Sequence, residues 1–181
     1  IRRGERVALV GLSGGGKTTL TNLLLRYYEP TEGRIAVDGT DIRDFTQRAW
    51  REKIGLVLQD IHLFPGTVGD NLRALVDEIG QENLDRAVAI VGAEGVIAGL
   101  PKGYDEILAE GGGNLSLGER QMHSVARAVG RAPVVLVLDE ATSSVVPGTG
   151  RRLRAAGDRL LAGRTRLGSA PRLATLGAAG R

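Results

Sequence analysis

The sequence predicts an α/β fold: a parallel sheet with a glycine-rich phosphate loop, interrupted by an inserted run of helices. Three observations carry that expectation. A short apolar run at residues 6–10 ends in a loop crowded with glycines, and a helical pattern follows at once. A second run, residues 134–138, is continuously apolar, as a strand covered on both faces of a parallel sheet must be. Between the two runs, residues 67–99 and 116–130 are mostly helical in period.

Taken in order, Val7-Ala8-Leu9-Val10 forms the first strand and Gly11 stops it. Residues 17 to about 28 read as a helix, with Leu20, Leu23, Leu24 and Tyr27 at helical spacing, closed by Pro30 and Gly33. Residues 34–37 form a short strand turned by Asp38-Gly39. Residues 54–58 are a further strand, stopping at Gln59. Leu72, Leu75, Val76, Leu84, Val88 and Val91 mark the helical stretch that follows. Pro101, Gly103 and glycines 111–113 mark loops, and the helix from Ser116 leads to the strand at 134–138. Beyond Glu140 the pattern weakens: seven glycines and two prolines fall within residues 147–181, and residues 151–161 are helix-like but carry Gly157.

The composition narrows the function. Of 181 residues, 42% are hydrophobic, enough for a packed core. The net charge of +3 divides unevenly, because residues 151–181 hold eight Arg against one Asp while residues 1–150 are net acidic. The pI of 9.7 therefore belongs to the tail and does not point to nucleic acid. With no Cys there is no disulfide, thiolate metal site or Cys nucleophile, and two His residues cannot build a zinc site alone. No apolar run approaches the roughly 20 residues of a membrane span. The chain opens on Ile1 with no initiator Met or signal peptide, and is expected to be a piece of a longer polypeptide.

Residues 11–18 read GLSGGGKT, which satisfies G-x-x-x-x-G-K-[ST] at every fixed position. Glycines let the backbone curl so that successive N–H groups point at phosphate oxygens, and the following helix adds its positive end. Gly11, Ser13, Gly14, Gly15, Gly16, Lys17, Thr18 and Thr19 are the candidate phosphate-binding residues. Lys17 is placed to reach the β- and γ-phosphates, and the Thr18 hydroxyl to coordinate Mg²⁺. Residues 135–140, VLVLDE, deliver two acids at the carboxyl end of a buried strand, where ligands of parallel sheets bind. Asp139 would hold Mg²⁺, and Glu140 would polarise an attacking water. Residues 115–121, LSLGERQ, carry Ser116 and Glu119 as a capping box that starts a helix. The same capped end, with a Ser hydroxyl and the Gly118 amide, is also a candidate anion site. One chain has one phosphate loop, so a second γ-phosphate contact implies a partner subunit.

GLSGGGKTT, then Gln59 after a strand, then LSLGERQ and VLVLDEATS resemble the ATP-binding domain of ABC transporters, over residues 1 to about 144. YYEPTEGRIAVDGTDIRD, LVLQDIHLFPGTV and LPKGYDEILAEGGGNLS are similar to the exporter branch, in which Glu110 and the glycines after it stand where a loop meets the transmembrane domain. The resemblance implies a P-loop NTPase (RecA-like) core at about 1–66 and 133–181 with an α-helical subdomain at about 67–132, and no transmembrane domain in this chain. It implies an ATP hydrolase using ATP and Mg²⁺, held by a transmembrane domain at the cytoplasmic face of the cell membrane. Its partner is a second ATP-binding domain, identical or different, and no nucleic acid is expected. Gln59 would contact Mg²⁺ and the attacking water, Ser116 and Gly118 would bind the γ-phosphate held by the opposite subunit, and Glu140 would be the general base.

Leu117 and Glu119 replace the Gly and Gln of the commonest family signature. Two other departures bear on turnover. Val146 stands where the family has Asp, and, after a core strand that the resemblance places at residues 165–169 with Gly168 inside it, Pro171 stands where the family has the His that contacts the γ-phosphate. Proline has no side-chain donor and no N–H, so it cannot replace that His. His62 and His123 match other positions and are expected to be surface or packing residues. The platform that stacks on adenine would precede Ile1. The tail is therefore either a degenerate site that binds ATP and hydrolyses it slowly, or a diverged segment. The alternative function is a catalytically degenerate nucleotide-binding subunit of an asymmetric transporter.

Overall fold

Four parallel strands bring the carboxyl ends of several segments to one edge of a sheet. The computed structural model describes residues 1–12, 14–58, 60–73, 79–139 and 165–170. Strand β1, Arg6–Val10, leads through the glycine loop into helix α1, Lys17–Leu24. A tight hairpin follows, β2 Ala36–Val37 against β3 Thr40–Asp41. Its turn residues Asp38 and Gly39 both have positive φ, 49° and 85°, as the twist of a two-residue hairpin requires. Helix α2, Gln47–Arg51, is capped by the Thr46 hydroxyl, which accepts from Ala49 N–H at 3.2 Å. It leads into β4, Ile54–Val57.

Residues 66–129 are largely helical, as their period predicts, but the stretch opens with a short strand, β5 Gly66–Thr67. Helices α3 Val68–Arg73, α4 Gln81–Val91 and α5 Glu94–Gly99 follow. Strand β6, Ile107–Leu108, returns to pair with β5. Helix α6, Leu117–Val129, then leads to β7, Val135–Asp139, and β8 is Thr165–Ala170. The sheet order is β1-β8-β7-β4 with every neighbour parallel.

Strand β8 forms without an unbroken apolar run. It lies between two strands, and its backbone pairs on both sides, Gly168 with Ala8 and with Leu138. Only Leu167 among its described side chains is fully buried. Glycine inside a strand costs about 0.5–1 kcal/mol relative to alanine, and the two-sided ladder carries it.

The interior divides into two apolar clusters. One gathers Leu25, Ile42, Trp50, Ile54, Val137 and Leu167 between the sheet, α1 and α2. The other gathers side chains of α3 to α6, among them Val68, Leu72, Leu84, Val88, Met122 and Ala126, and reaches the sheet at Val57 and Leu136. Helix α6 lies against β4 at Gly55, where a Cβ would meet the Ala128 carbonyl at 2.5 Å and the Pro133 ring at 2.8 Å. Only glycine permits that approach.

Helix α1 ends at Leu24, short of the expected residue 28. Residues from α2 take the carbonyls that further turns would have used. The Trp50 indole N–H donates to Leu24 O at 2.6 Å, and the Arg51 guanidinium donates to Leu25 O and Arg26 O. Arg26 turns to φ 53°, and its guanidinium bonds the Ile42 and Phe45 carbonyls. The inward face therefore uses Leu25, while Leu20 and Tyr27 are exposed and Tyr27 stacks under Arg51 at 5.1 Å.

Candidate functional site

In a parallel sheet all carboxyl ends share one edge. That edge collects the glycine loop after β1, the exit of β4 toward residue 59, and Asp139 at the end of β7. In register, Val10 pairs with Ala170 and Asp139 with Ser169, so Asp139 stands two strands from β1. At about 4.8 Å per strand this is a backbone separation of about 10 Å, suited to one phosphate chain between them.

The loop itself is built for anions. Gly15 N–H donates to Leu12 O at 3.0 Å, which closes the first turn. Gly14 and Gly16 adopt φ of 82° and 80°, and a Cβ on either would meet no atom within 4 Å. Backbone conformation, and not crowding, requires glycine there. The space a side chain would fill is left as an open cradle. Gly16 is the N-cap of α1, with no side-chain cap bond, and the first turn holds no acid. Among the described residues no carbonyl accepts from the N–H groups of Thr18 or Thr19. Helix starts leave such donors orphaned until a cap or a ligand takes them. Thr18 and Thr19 face solvent. The Lys17 ammonium folds back on its own loop, donating to Gly11 O at 2.7 Å and Leu12 O at 2.9 Å. Both partners are neutral, so a phosphate oxygen offers that ammonium the stronger, charge-assisted bond.

The second candidate anion end, at α6, is already occupied by its own side chains. Ser116 Oγ accepts from Glu119 N–H at 3.3 Å, and the Glu119 carboxylate accepts from Ser116 N–H at 2.7 Å. Both halves of the expected capping box are therefore present. The Ser116 bonds hold the Glu119 carboxyl below the usual range. Ser116 is exposed and Gly118 is buried. No hydrogen bond joins either residue to residues 11–19 among the described residues.

Ser13, Gln59, Glu140, Val146 and Pro171 lie outside the described residues, as does the helix-like segment 151–161. Of the two histidines, His62 is exposed and its carbonyl accepts from Arg127. His123 is 2% exposed on α6, with Nδ1 at 3.1 Å from Glu119 O, so its role is packing. Burial pushes its pKa down.

Periodicity did not single out one cluster. Arg127 donates to Asn71 O at 2.8 Å, His62 O at 2.8 Å and Asn71 Oδ1 at 3.2 Å, and it lies over the Phe64 ring. Asn71 in turn bonds Phe64 N–H and the Phe64 and Thr67 carbonyls. These bonds tie α6 to residues 62–64, just after the exit of β4. The available signal was an Arg four residues after His123, on the buried side of an amphipathic helix.

The family described as ABC transporter matches residues 1–143. An uncharacterised ABC transporter ATP-binding protein of Bacillus subtilis, YfiC, is 44% identical over 96% of this chain and 29% of its own length. An ATP-dependent lipid A-core flippase of Syntrophus aciditrophicus is 44% identical over 97% of this chain and 29% of its own. Among solved structures, a bacterial Atm1-family ABC exporter with ATP bound superimposes with a TM-score of 0.88 at 38% identity, covering 99% of this chain and 31% of that one. The chain thus spans under a third of the length of these relatives.

Proposed function

The chain belongs to the ABC transporter family, and on that premise we propose that it binds Mg-ATP and, paired with a second ATP-binding domain, hydrolyses it to drive export through a transmembrane domain. The observation that carries this reading is the uncapped start of α1 beside Lys17, on the sheet edge that also ends in Asp139. The free N–H groups and Lys17 hold the triphosphate. Lys17 exchanges the Gly11 and Leu12 carbonyls for phosphate oxygens. Glu140 takes a proton from a water as that water attacks the γ-phosphorus; the bond to the β-γ bridging oxygen breaks, and ADP leaves. Ser116 and Gly118 of the facing copy bind the γ-phosphate.

Mg²⁺ suits the donors this chain offers. Thr18 supplies a hydroxyl and Asp139 a carboxylate, with Gln59 as the third expected ligand. Mg²⁺ is held by one or two such oxygens together with substrate phosphates and water. The described residues contain no cluster of three acidic or imidazole groups, so no all-protein cage competes with that arrangement. When bound, the ion would neutralise charge between the β- and γ-phosphates.

The division at about residues 67 and 132 is proposed on the two apolar clusters. No helix among the described residues is long and apolar enough to cross a membrane. On the family reading, the membrane step is assigned to a transmembrane domain, fused or separate, with this domain at the cytoplasmic face. The relatives' names include a lipid A-core flippase; the cargo here is assigned to the transmembrane domain and not to this chain. A second reading, a degenerate subunit that binds ATP without useful turnover, is favoured by Val146 and Pro171.

The test is Mg²⁺-dependent phosphate release from ATP by the chain as written and by Pro171→His, with Glu140→Gln as the blank. Turnover above the blank in both proteins supports the hydrolase and makes the missing His dispensable. Turnover restored only by His supports the degenerate reading. ATP binding without turnover in either protein rejects the hydrolase, and absence of ATP binding rejects both readings.

A further inference from the structure

Helices α4 and α5 and the turn at residues 103–105 border a cavity of about 530 Å³, and none of its lining residues belongs to the sheet or the glycine loop. That volume falls in the range of small-molecule sites, roughly 300–1,000 Å³. Val88 and Ile97, both buried, form its apolar surface together with Leu100. Tyr104, Asp85 and Glu94 supply the polar groups. Asp85 Oδ1 accepts from the Tyr104 hydroxyl at 2.8 Å and from Gln81 Nε2 at 2.9 Å. Those bonds hold its carboxyl below the usual range, so it is ionised at neutral pH. Both bonds end on one oxygen, and Oδ2 has no hydrogen-bond partner among the described residues. Glu94, in the first turn of α5, has no hydrogen bond or ion pair among the described residues, and its charge reaches Tyr104. No lysine or arginine lines the cavity. Arg73, whose charge also reaches Tyr104, is engaged elsewhere, donating to Ile79 O and Gln81 Oε1.

We infer that this cavity is a binding site for a small organic cation, an ammonium carried on an aromatic or branched apolar body. The body covers Val88, Ile97 and Leu100, and burying that surface supplies the non-specific part of the affinity. The ammonium donates to Asp85 Oδ2 and to the Glu94 carboxylate, both at the exposed rim. A neutral ligand of the same shape gains only the apolar contact, and an anion is repelled. The two carboxylates therefore select by charge what the apolar wall accepts by shape. The inference does not rest on the nucleotide reading, since residues 11–19 and 116–119 take no part in the cavity.

The experiment titrates the full 181-residue chain, isotopically labelled, with three probes that share one apolar body: 4-phenylbutylammonium, 4-phenylbutanol and 4-phenylbutyrate. Backbone amide resonances report where each probe binds. In an open cavity a probe of about eleven non-hydrogen atoms should bind with a Kd on the order of 1 mM. At about 50 mM salt the ammonium should bind about fivefold more tightly than the alcohol, the size of an exposed charge pair. The carboxylate should bind more weakly than either. Shifts should centre on Asp85 and residues 94–104, and the preference should shrink at about 500 mM salt. Asp85→Asn with Glu94→Gln keeps an acceptor for Tyr104 and removes both charges, so ammonium and alcohol should then bind alike. Thermal unfolding checks that this variant folds; if it does not, the salt dependence in the unaltered chain decides. No ammonium binding up to about 10 mM, equal binding of the three probes, shifts centred elsewhere, or a preference that survives loss of both carboxylates or high salt overturns the inference.

Discussion

At the start of α1 the capping position holds Gly16, the first turn has no acid, and the nearby ammonium is satisfied by carbonyls of its own loop. At the start of α6 Ser116 and Glu119 close on each other with two hydrogen bonds. Both helices follow a loop and both were read as phosphate-binding ends. The contrast shows that a helix start can be prepared for an anion in two ways. One leaves its donors orphaned and gives up the stability of a cap. The other is closed by its own capping box and is stable without a ligand. An end of the first kind keeps donors available to a ligand, whereas an end of the second kind is satisfied by its own side chains.

The sharpest way to break this comparison is Lys17→Ala. Phosphate release should fall at least about 100-fold, toward the Glu140→Gln blank, as when a pre-placed charge is removed from a transition state. Thermal unfolding should barely move, since Lys17 bonds only two carbonyls of an open loop. Retained turnover would show that α1 is not the phosphate end. Next is Gly16→Ala. Its Cβ meets nothing within 4 Å, so the φ of 80° supplies the whole cost, about 1–2 kcal/mol in unfolding free energy by denaturant titration. Ser116→Ala should lose about 1 kcal/mol in the same titration. No loss there would mean that the cap of α6 is held by something other than the box.

The smallest effect concerns pH. His123 is buried with Nε2 unpartnered among the described residues, and its folded pKa is lowered by desolvation. The unfolded chain, titrating near 6.5, then binds the proton more readily than the folded one. Stability should be unaffected above pH 6.5 and should decline as pH falls below it. His123→Gln should flatten that decline. Glu119 acts in a lower window, because its folded pKa is depressed below 4.5: its contribution is present above 4.5 and is lost as pH falls further. A wild-type stability that is flat from pH 7 to 5 would remove the His123 argument.

The parts of the fold legible in the sequence were those set by local rules. The strands at 6–10, 54–57 and 135–139, the glycine loop, and the box at Ser116 all follow from residue type and spacing. What spacing missed depends on distant partners. The end of α1 is fixed by Trp50 and Arg51, some 26 residues on. The inward face of α1 shifts to Leu25 for the same reason. Strand β8, expected at residues 165–169 from the family resemblance and not from spacing, has no apolar run because it is held by ladders on both sides. The Arg127–Asn71 cluster joins residues 56 apart, which no local window contains. At the site, the motif puts Lys17 at the end of the glycine loop, and its bonds to Gly11 and Leu12 could be read only from coordinates.

Trp50 is the chain's single tryptophan, buried to 1% exposure, with its indole N–H tied to the last carbonyl of α1. Helix α1 has 8 residues, and at about 1.5 Å per residue it is about 12 Å long. Its near end faces the glycine cradle, and its far end rests on the indole. Excitation of that one ring therefore gives an emission signal from the base of the helix that follows the glycine loop, with no dye, no second tryptophan to correct for, and no change to any residue of that loop.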